Sequence, residues 1–229
     1  MKLVLFDIDG TLMDAGGAGG RSLTDAFYEL FSIKDAFSRI TFDGKTDLRI
    51  FKEGMNYHSL TNGGGIIDSI KTHYLQRLKV EINNDKTHIK PGITPLIERL
   101  HGRHAIGLLT GNLRLGAEIK LSSLDLWRHF KAGAFGDLHE DRNLLLPVAV
   151  DDVHKQTGAR FQFSQCVIIG DTPRDVECGK THGAFTIAVA TGPYTSSQLR
   201  ETGADAVLED LSDTEAVIAL IDSGAIAGN

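Results

Sequence analysis

Five short runs of apolar residues each end abruptly in polar ones, and this pattern limits the possible fold more than any other feature of the chain. Leu3-Val4-Leu5-Phe6 stops at Asp7, and Ala105-Ile106-Gly107-Leu108-Leu109 stops at Thr110. Cys166-Val167-Ile168-Ile169 leads into Gly170-Asp171, the run 185–190 into Thr191-Gly192-Pro193, and Ala206-Val207-Leu208 into Glu209-Asp210. A strand that is apolar throughout, rather than at every second position, is covered on both faces, as in a parallel sheet. Helical patterns at 113–126, 145–158, 174–183 and 196–202 separate the later runs. Strand and helix in alternation predict an α/β fold with a doubly wound parallel-sheet core. Ligands bind such sheets at the carboxyl ends of the strands, where the polar tails fall.

One region departs from the alternation. Between Asp14 and Lys90 no convincing buried strand is found. Leu23, Ala26, Phe27, Leu30 and Phe31 follow the spacing of an amphipathic helix. Leu48, Phe51 and Met55 suggest a second, started by an N-cap at Asp47. Ile67, Ile70, Tyr74 and Leu78 make a third. The glycine cluster from Ala15 to Gly20 and the pair Pro91-Gly92 bound the region, as expected of a helical module hinged on a core. The expected division is a core of residues 1–13 and 92–229, with a helical module at 14–91.

The chain has 229 residues, 41% hydrophobic and 24% charged, which is enough to bury such a core. A formal net charge of −6 without a basic tract argues against nucleic acid or an anionic membrane as the main partner. The short basic stretch Arg99, His101, Arg103 and His104 reads as the solvated end of a helix. Cys166 and Cys178 form no C-x-x-C and no disulfide framework, which suggests a reducing compartment. Only four apolar residues precede Asp7, too few for a signal-peptide core, and no stretch approaches a transmembrane span. The expectation is a cytoplasmic protein, a monomer or homodimer. Nine histidines lack any H-E-x-x-H or other metal spacing, so zinc is not expected.

The chemistry gathers at the strand ends. Asp7-Ile8-Asp9-Gly10-Thr11 offers a nucleophile or metal ligand beside an acid/base, once a turn at Gly10 brings both carboxylates to one site. Thr110-Gly111-Asn112 supplies a hydroxyl and successive backbone N–H groups that can cradle phosphate oxygens, though it is also ordinary turn chemistry. In Gly170-Asp171-Thr172-Pro173-Arg174-Asp175, Asp171 would reach the same sheet edge, with Asp175 behind it. A bland reading makes Asp171 the N-cap of the next helix, with Pro173 in its first turn. Carboxylates converging on one site repel unless a hard cation balances them, and oxygen-ligated Mg²⁺ is the economical choice.

Taken together these strand ends resemble the haloacid dehalogenase superfamily of hydrolases. Its first motif is matched by Asp7-Ile8-Asp9-Gly10-Thr11, its second by Thr110, and its fourth by Gly170-Asp171 with Asp175. The third motif supplies a basic residue, and the best match is Arg142 in Glu140-Asp141-Arg142-Asn143; Lys155 falls mid-helix, too close to the fourth. The helical module matches where the family carries a small cap. The resemblance implies a Mg²⁺-dependent phosphatase acting on a small phosphorylated metabolite, closest in flavour to phosphoglycolate phosphatases. By that resemblance Asp7 attacks phosphorus and Asp9 protonates the leaving oxygen, then activates water. Asp7, the backbone carbonyl of Asp9 and Asp171 hold the metal. Thr110 and Arg142 bind the phosphoryl oxygens, with Thr11, Gly111 and Asn112 also on the substrate side. Members that cleave carbon–halogen bonds lack the second aspartate, so Asp9 disfavours dehalogenation. In Asp43-Gly44-Lys45-Thr46-Asp47, Gly44 permits a tight turn, and capped relatives carry a similar loop that would bring Lys45 to the substrate.

Two other readings fit the same residues. A phosphosugar mutase would use the same aspartyl phosphate but return the phosphoryl group to a sugar. A phospho-accepting receiver module also combines aspartates, a threonine, a basic residue and Mg²⁺. Its phosphorylated aspartate lies on a later strand, however, and it has no counterpart to the helical module.

Overall fold

The computed structural model describes residues 1–61 and 65–224; residues 62–64 and 225–229, inside the expected helical module and core respectively, lie outside the described residues. Six parallel strands form the central sheet: β1 (Leu3–Phe6), β4 (Ala105–Leu109), β5 (Gly133–Ala134), β6 (Cys166–Gly170), β7 (Phe185–Val189) and β8 (Ala206–Leu208). Their order is β5-β4-β1-β6-β7-β8, so the first strand lies between the strands carrying Thr110 and Asp171.

The continuous apolar runs reflect burial on both faces. Along β1, Leu3 and Leu5 turn to one side, packing with Leu145, Leu146, Ala149 and Val153 of α6 (Leu145–Thr157) and Cys178 of α7 (Pro173–His182). Val4 and Phe6 turn to the other, into a cluster with α4 (Ile93–Leu100), α5 (Arg114–Ser122) and α9 (Thr214–Ser223). Each such side chain removed from water contributes roughly 1.5–3 kcal/mol. A short α8 (Ser196–Glu201) packs Leu199 beneath Ala188 and Val176. The sheet is therefore the doubly wound α/β core read from the sequence.

Helices α1 (Ala18–Phe31), α2 (Asp47–Tyr57) and α3 (Ile66–Glu81) form the insert, and their apolar stripes continue the cluster around Phe6. Phe27 stacks edge-on against Phe37 with ring centroids 4.6 Å apart, and Phe51 against Tyr74 at 5.7 Å. The region between 14 and 90, where no convincing buried strand is expected, does contain short strand pairing, one strand of it only half-buried. The chain leaves and re-enters the core through an antiparallel ribbon, β2 (Met13–Ala15) paired with β3 (Thr87–Ile89). Each strand is three residues long, too short to show an alternating pattern.

Further corrections concern the helix starts and lengths. Thr46, not Asp47, caps α2: its hydroxyl oxygen accepts from Arg49 N at 3.2 Å. Asp171 does not cap α7; Thr172 does, and its N–H donates to Asp175 Oδ2 at 3.0 Å. The helix expected over 113–126 is shorter, ending at Ser122 before Asp125 enters the left-handed region at φ +58°. β5 and α9 were not foreseen. Among the described residues no helix is long and apolar enough to cross a membrane.

Candidate active site

The turn after β1 places the first acidic pair. Asp7 N donates to Ile169 O at 3.0 Å, extending the pairing with β6 one residue beyond the strand. Ile8 O then accepts from Thr11, Leu12 and Met13 N, which reverses the chain at Gly10. Gly10 has φ +84°, and a Cβ there would lie 2.2 Å from Asp171 Oδ2. Both the left-handed turn and the close approach of the second acid therefore require glycine.

Asp171 enters from the end of β6, fully buried, and Thr11 Oγ1 donates to its Oδ1 at 2.9 Å. Its Oδ2 is buried without a hydrogen-bond partner. Asp175 lies behind. Its Oδ2 accepts from Thr172 N and, at 2.6 Å, from Thr172 Oγ1, while its Oδ1 accepts from Arg142. Carboxylate oxygens of Asp7, Asp171 and Asp175 all lie within 4.8 Å of one another.

Arg142, the expected third-motif residue, reaches this cluster from a short 3₁₀ turn ahead of α6. It is 5% exposed. Its Nη2 donates to Asp7 Oδ1 at 2.9 Å and to Leu109 O at 3.1 Å, besides Asp175. Its Nη1 donates to Gly44 O at 3.2 Å. Burial opposes its charge, but Asp175 and Asp7 outweigh that and hold the guanidinium protonated. Burial also raises the Asp7 carboxyl to about 6; Arg142 opposes the shift, while Asp175 and Asp9 add to it. Asp171 is pushed well above the usual carboxylate range by burial, then by Asp7 and Asp175.

One buried cation thus faces three acids. An oxygen-seeking divalent ion would relieve their repulsion and give the orphaned Asp171 Oδ2 a partner, so the donor set fits Mg²⁺. Asp7 and Asp171 are the side chains that could hold it. Both oxygens of Asp175 are committed to Arg142 and Thr172, so it orients its neighbours.

The second strand end adds the remaining groups. Asn112 Nδ2 donates to Asp9 Oδ2 at 2.8 Å and to Thr110 Oγ1 at 2.9 Å. A cavity of about 400 Å³ opens above, lined by Asp7, Asp9, Gly111, Asn112, Lys45 and Arg142 among others. Thr110 and Thr11 are both fully buried and lie behind its wall. Thr11 thus requires correction: its hydroxyl supports Asp171 rather than facing the substrate side.

The insert closes the cavity from above. Asp47 N donates to Gly111 O at 2.7 Å, and Leu113 N donates to Asp47 Oδ2 at 2.8 Å. A Cβ on Gly111 would fall 2.1 Å from Lys45 O, so glycine is needed for this contact. Lys45 lines the cavity, but its Nζ already donates to Glu53 Oε2 at 2.6 Å.

Three residues of the site were not anticipated as such. The sequence marks Asp47 only as a cap and Tyr74 only as packing, yet both line the cavity. Lys120 was missed altogether, although it is 4% exposed and donates from Nζ to Asp9 Oδ2 at 2.6 Å. A signal existed: Lys120 falls in the apolar stripe of α5, with Leu113, Ala117 and Leu121.

Comparison with known proteins bears on this arrangement. A family model described as haloacid dehalogenase-like hydrolase matches residues 1–183. No curated protein matches the sequence. Among solved structures, one from Clostridium acetobutylicum described as a predicted phosphatase has a TM-score of 0.73 at 18% identity, covering 96% of this chain and 99% of that one. One from Haemophilus somnus 129pt described as a predicted phosphoglycolate phosphatase has a TM-score of 0.70 at 14% identity, covering 95% and 98%. CbbY from Rhodobacter sphaeroides, in complex with phosphate, has a TM-score of 0.72 at 15% identity, covering 93% and 96%. At these identities the likeness is one of fold.

Proposed function

The chain belongs to the haloacid dehalogenase-like hydrolases, and we propose that within them it is a Mg²⁺-dependent phosphatase of a small phosphorylated metabolite, with an aspartyl-phosphate intermediate on Asp7. The observation that carries this reading is the pairing of two unlike carboxylates at one cavity. Asp7 is 5% exposed and held by Arg142, whereas the side chain of Asp9 is 44% exposed beside it.

Asp7 is the group to attack phosphorus, forming a P–O bond to its carboxylate as the ester P–O bond breaks. Asp9 gives its proton to the departing alkoxide oxygen. It then takes a proton from the water that attacks the acyl phosphate, which releases inorganic phosphate and restores both carboxyl groups. Arg142 fixes the direction of Asp7 and offsets negative charge, while Gly111 and Asn112 line the cavity at the phosphoryl position and the Thr110 hydroxyl, behind them, accepts from Asn112 Nδ2. A Mg²⁺ ion held by Asp7 and Asp171, with the main-chain carbonyl of Asp9, would supply the further positive charge that phosphoryl transfer needs.

The helical insert, 14–91, is the cap in this reading, with Lys45 as its contribution to substrate binding. A phosphoglycolate-like acid phosphate is the first substrate to test. Two free, buried cysteines suit the cytoplasm, where we place the enzyme, as a monomer or homodimer.

A screen of phosphorylated metabolites for phosphate release with Mg²⁺ tests the proposal, with Asp7→Asn as the control. We expect release by the native chain and none by the folded variant, since nucleophile and metal ligand are lost together. Native-like turnover by pure Asp7→Asn would remove the mechanism. A requirement for a sugar bisphosphate activator would favour the mutase instead.

A further inference from the structure

Among the described residues Lys120 is the one buried lysine, and the chemistry above gives it no task. Burying an ammonium group is costly unless it is paired, and an apolar residue would complete the α5 stripe at lower cost. The residue is nevertheless closely engaged. Its Nζ donates to Asp9 Oδ2 at 2.6 Å and to Asn112 Oδ1 at 2.6 Å. The second contact orients the Asn112 amide, whose Nδ2 then also donates to Asp9 Oδ2. Two donors thus meet on one oxygen of Asp9, and among the described residues no hydrogen bond engages the other, Oδ1. The insert covers this arrangement: a Cβ on Gly19 would lie 3.5 Å from Lys120 Nζ and 3.7 Å from Tyr74 Oη.

We propose that Lys120 is a positioning residue for the acid/base Asp9, pinning Oδ2 so that Oδ1 alone carries the proton to and from the reacting oxygens. This rests on the phosphatase reading above and adds to it. Asp9 is otherwise half-exposed at a cavity mouth, where its carboxylate would rotate and share the proton between two oxygens. With Oδ2 held by an ammonium and an amide, the negative charge that forms as the proton leaves Oδ1 develops next to a fixed cation. The proton passes from Oδ1 to the ester oxygen as the P–O bond breaks, and Lys120 keeps its own protons throughout. Because the lysine lies under Gly19 and Tyr74, docking of the insert dries the same contact that fixes the acid.

A leaving-group comparison tests this. Phenyl phosphate and p-nitrophenyl phosphate are nearly the same size, but phenoxide needs a proton to depart far more than p-nitrophenoxide does. The value of kcat/KM stops at aspartyl-phosphate formation, so it excludes the later hydrolysis. The ratio of the two kcat/KM values is also independent of how much of a variant is folded. For Lys120→Met we expect phenyl phosphate to fall at least about tenfold further than p-nitrophenyl phosphate, within the range that general acids contribute. Lys120→Gln, measured in the same way, serves if Lys120→Met does not accumulate. An equal fall for both esters, or none, assigns Lys120 to packing and overturns the proposal while leaving the phosphatase intact. A native chain that hydrolyses no phosphomonoester with Mg²⁺ removes the parent reading and this one with it.

Discussion

The Nη2 of Arg142 donates to Asp7 Oδ1 at 2.9 Å, joining residues 135 positions apart in a buried ion pair that also includes Asp175. One guanidinium therefore balances two acids and, in the mechanism proposed above, sets the direction of the nucleophile. Removing it should be costly in two separable ways. In Arg142→Ala the two carboxylates lose their partner, and stability should fall by about 3–5 kcal/mol, the usual cost of breaking a buried pair from one side. Turnover of the remaining folded protein should fall by about 10²–10³. Urea unfolding and phosphate release, each measured per folded molecule, check both; native values in both would make Arg142 an ordinary loop residue.

Divalent metal should stabilise the native chain, because Asp7, Asp171 and Asp175 repel one another without it. At a Mg²⁺ concentration a hundred times Kd the gain is about 2.7 kcal/mol. A thermal melt would show a rise in Tm that Asp171→Asn abolishes. Ca²⁺ should also raise Tm yet fail to support turnover, since its looser, higher coordination misplaces the attacking carboxylate. Full activity in excess chelator would exclude the metal.

Asp47 provides a pH test. Burial raises its carboxyl from the ordinary 3.8 to about 6; Lys120 and the Leu113 N–H oppose the shift, and Asp9 and Asp137 add to it. Between those values the folded chain holds a proton that the unfolded chain has lost. The stability this group contributes is therefore present below the lower value and lost as pH rises through the upper one. Asp47→Asn escapes that loss. Its stability relative to the native chain should improve between pH 5 and pH 7.5 by on the order of 1 kcal/mol. Urea midpoints at the two pH values measure it, and an increment that does not change with pH would refute it.

Lys45 tests the role of the insert. Its ammonium is 2.6 Å from Glu53 Oε2, so a substrate anion must compete with a carboxylate for it. Lys45→Ala should lower kcat/KM for the true substrate by about tenfold or more, and that for p-nitrophenyl phosphate far less, because a bare aryl phosphate gives the loop nothing to hold. Equal losses on both would place Lys45 in the fold or the core chemistry.

What the sequence determined by itself was local in origin. A strand buried on both faces must be apolar at every position, and it must end where polar residues begin. The five main strands and the position of Asp7, Asp9, Thr110 and Asp171 at their ends could therefore be read from neighbouring residues alone. Arg142 was found by motif order, and its burial against Asp7 depended on the path of the chain between β5 and α6. Tertiary structure alone decided the rest. The two-residue β5 and the ribbon of β2 with β3 exist because partner strands lie beside them. Thr11 turned to Asp171, and Asp47 to Leu113, because those partners came within reach across the fold. Lys120 is the clearest case. Its place in the apolar stripe of α5 hints at burial, but nothing next to it along the chain says what it pairs with. Asp9, 111 residues away, together with the insert above it, makes it a buried cation bonded to a carboxylate.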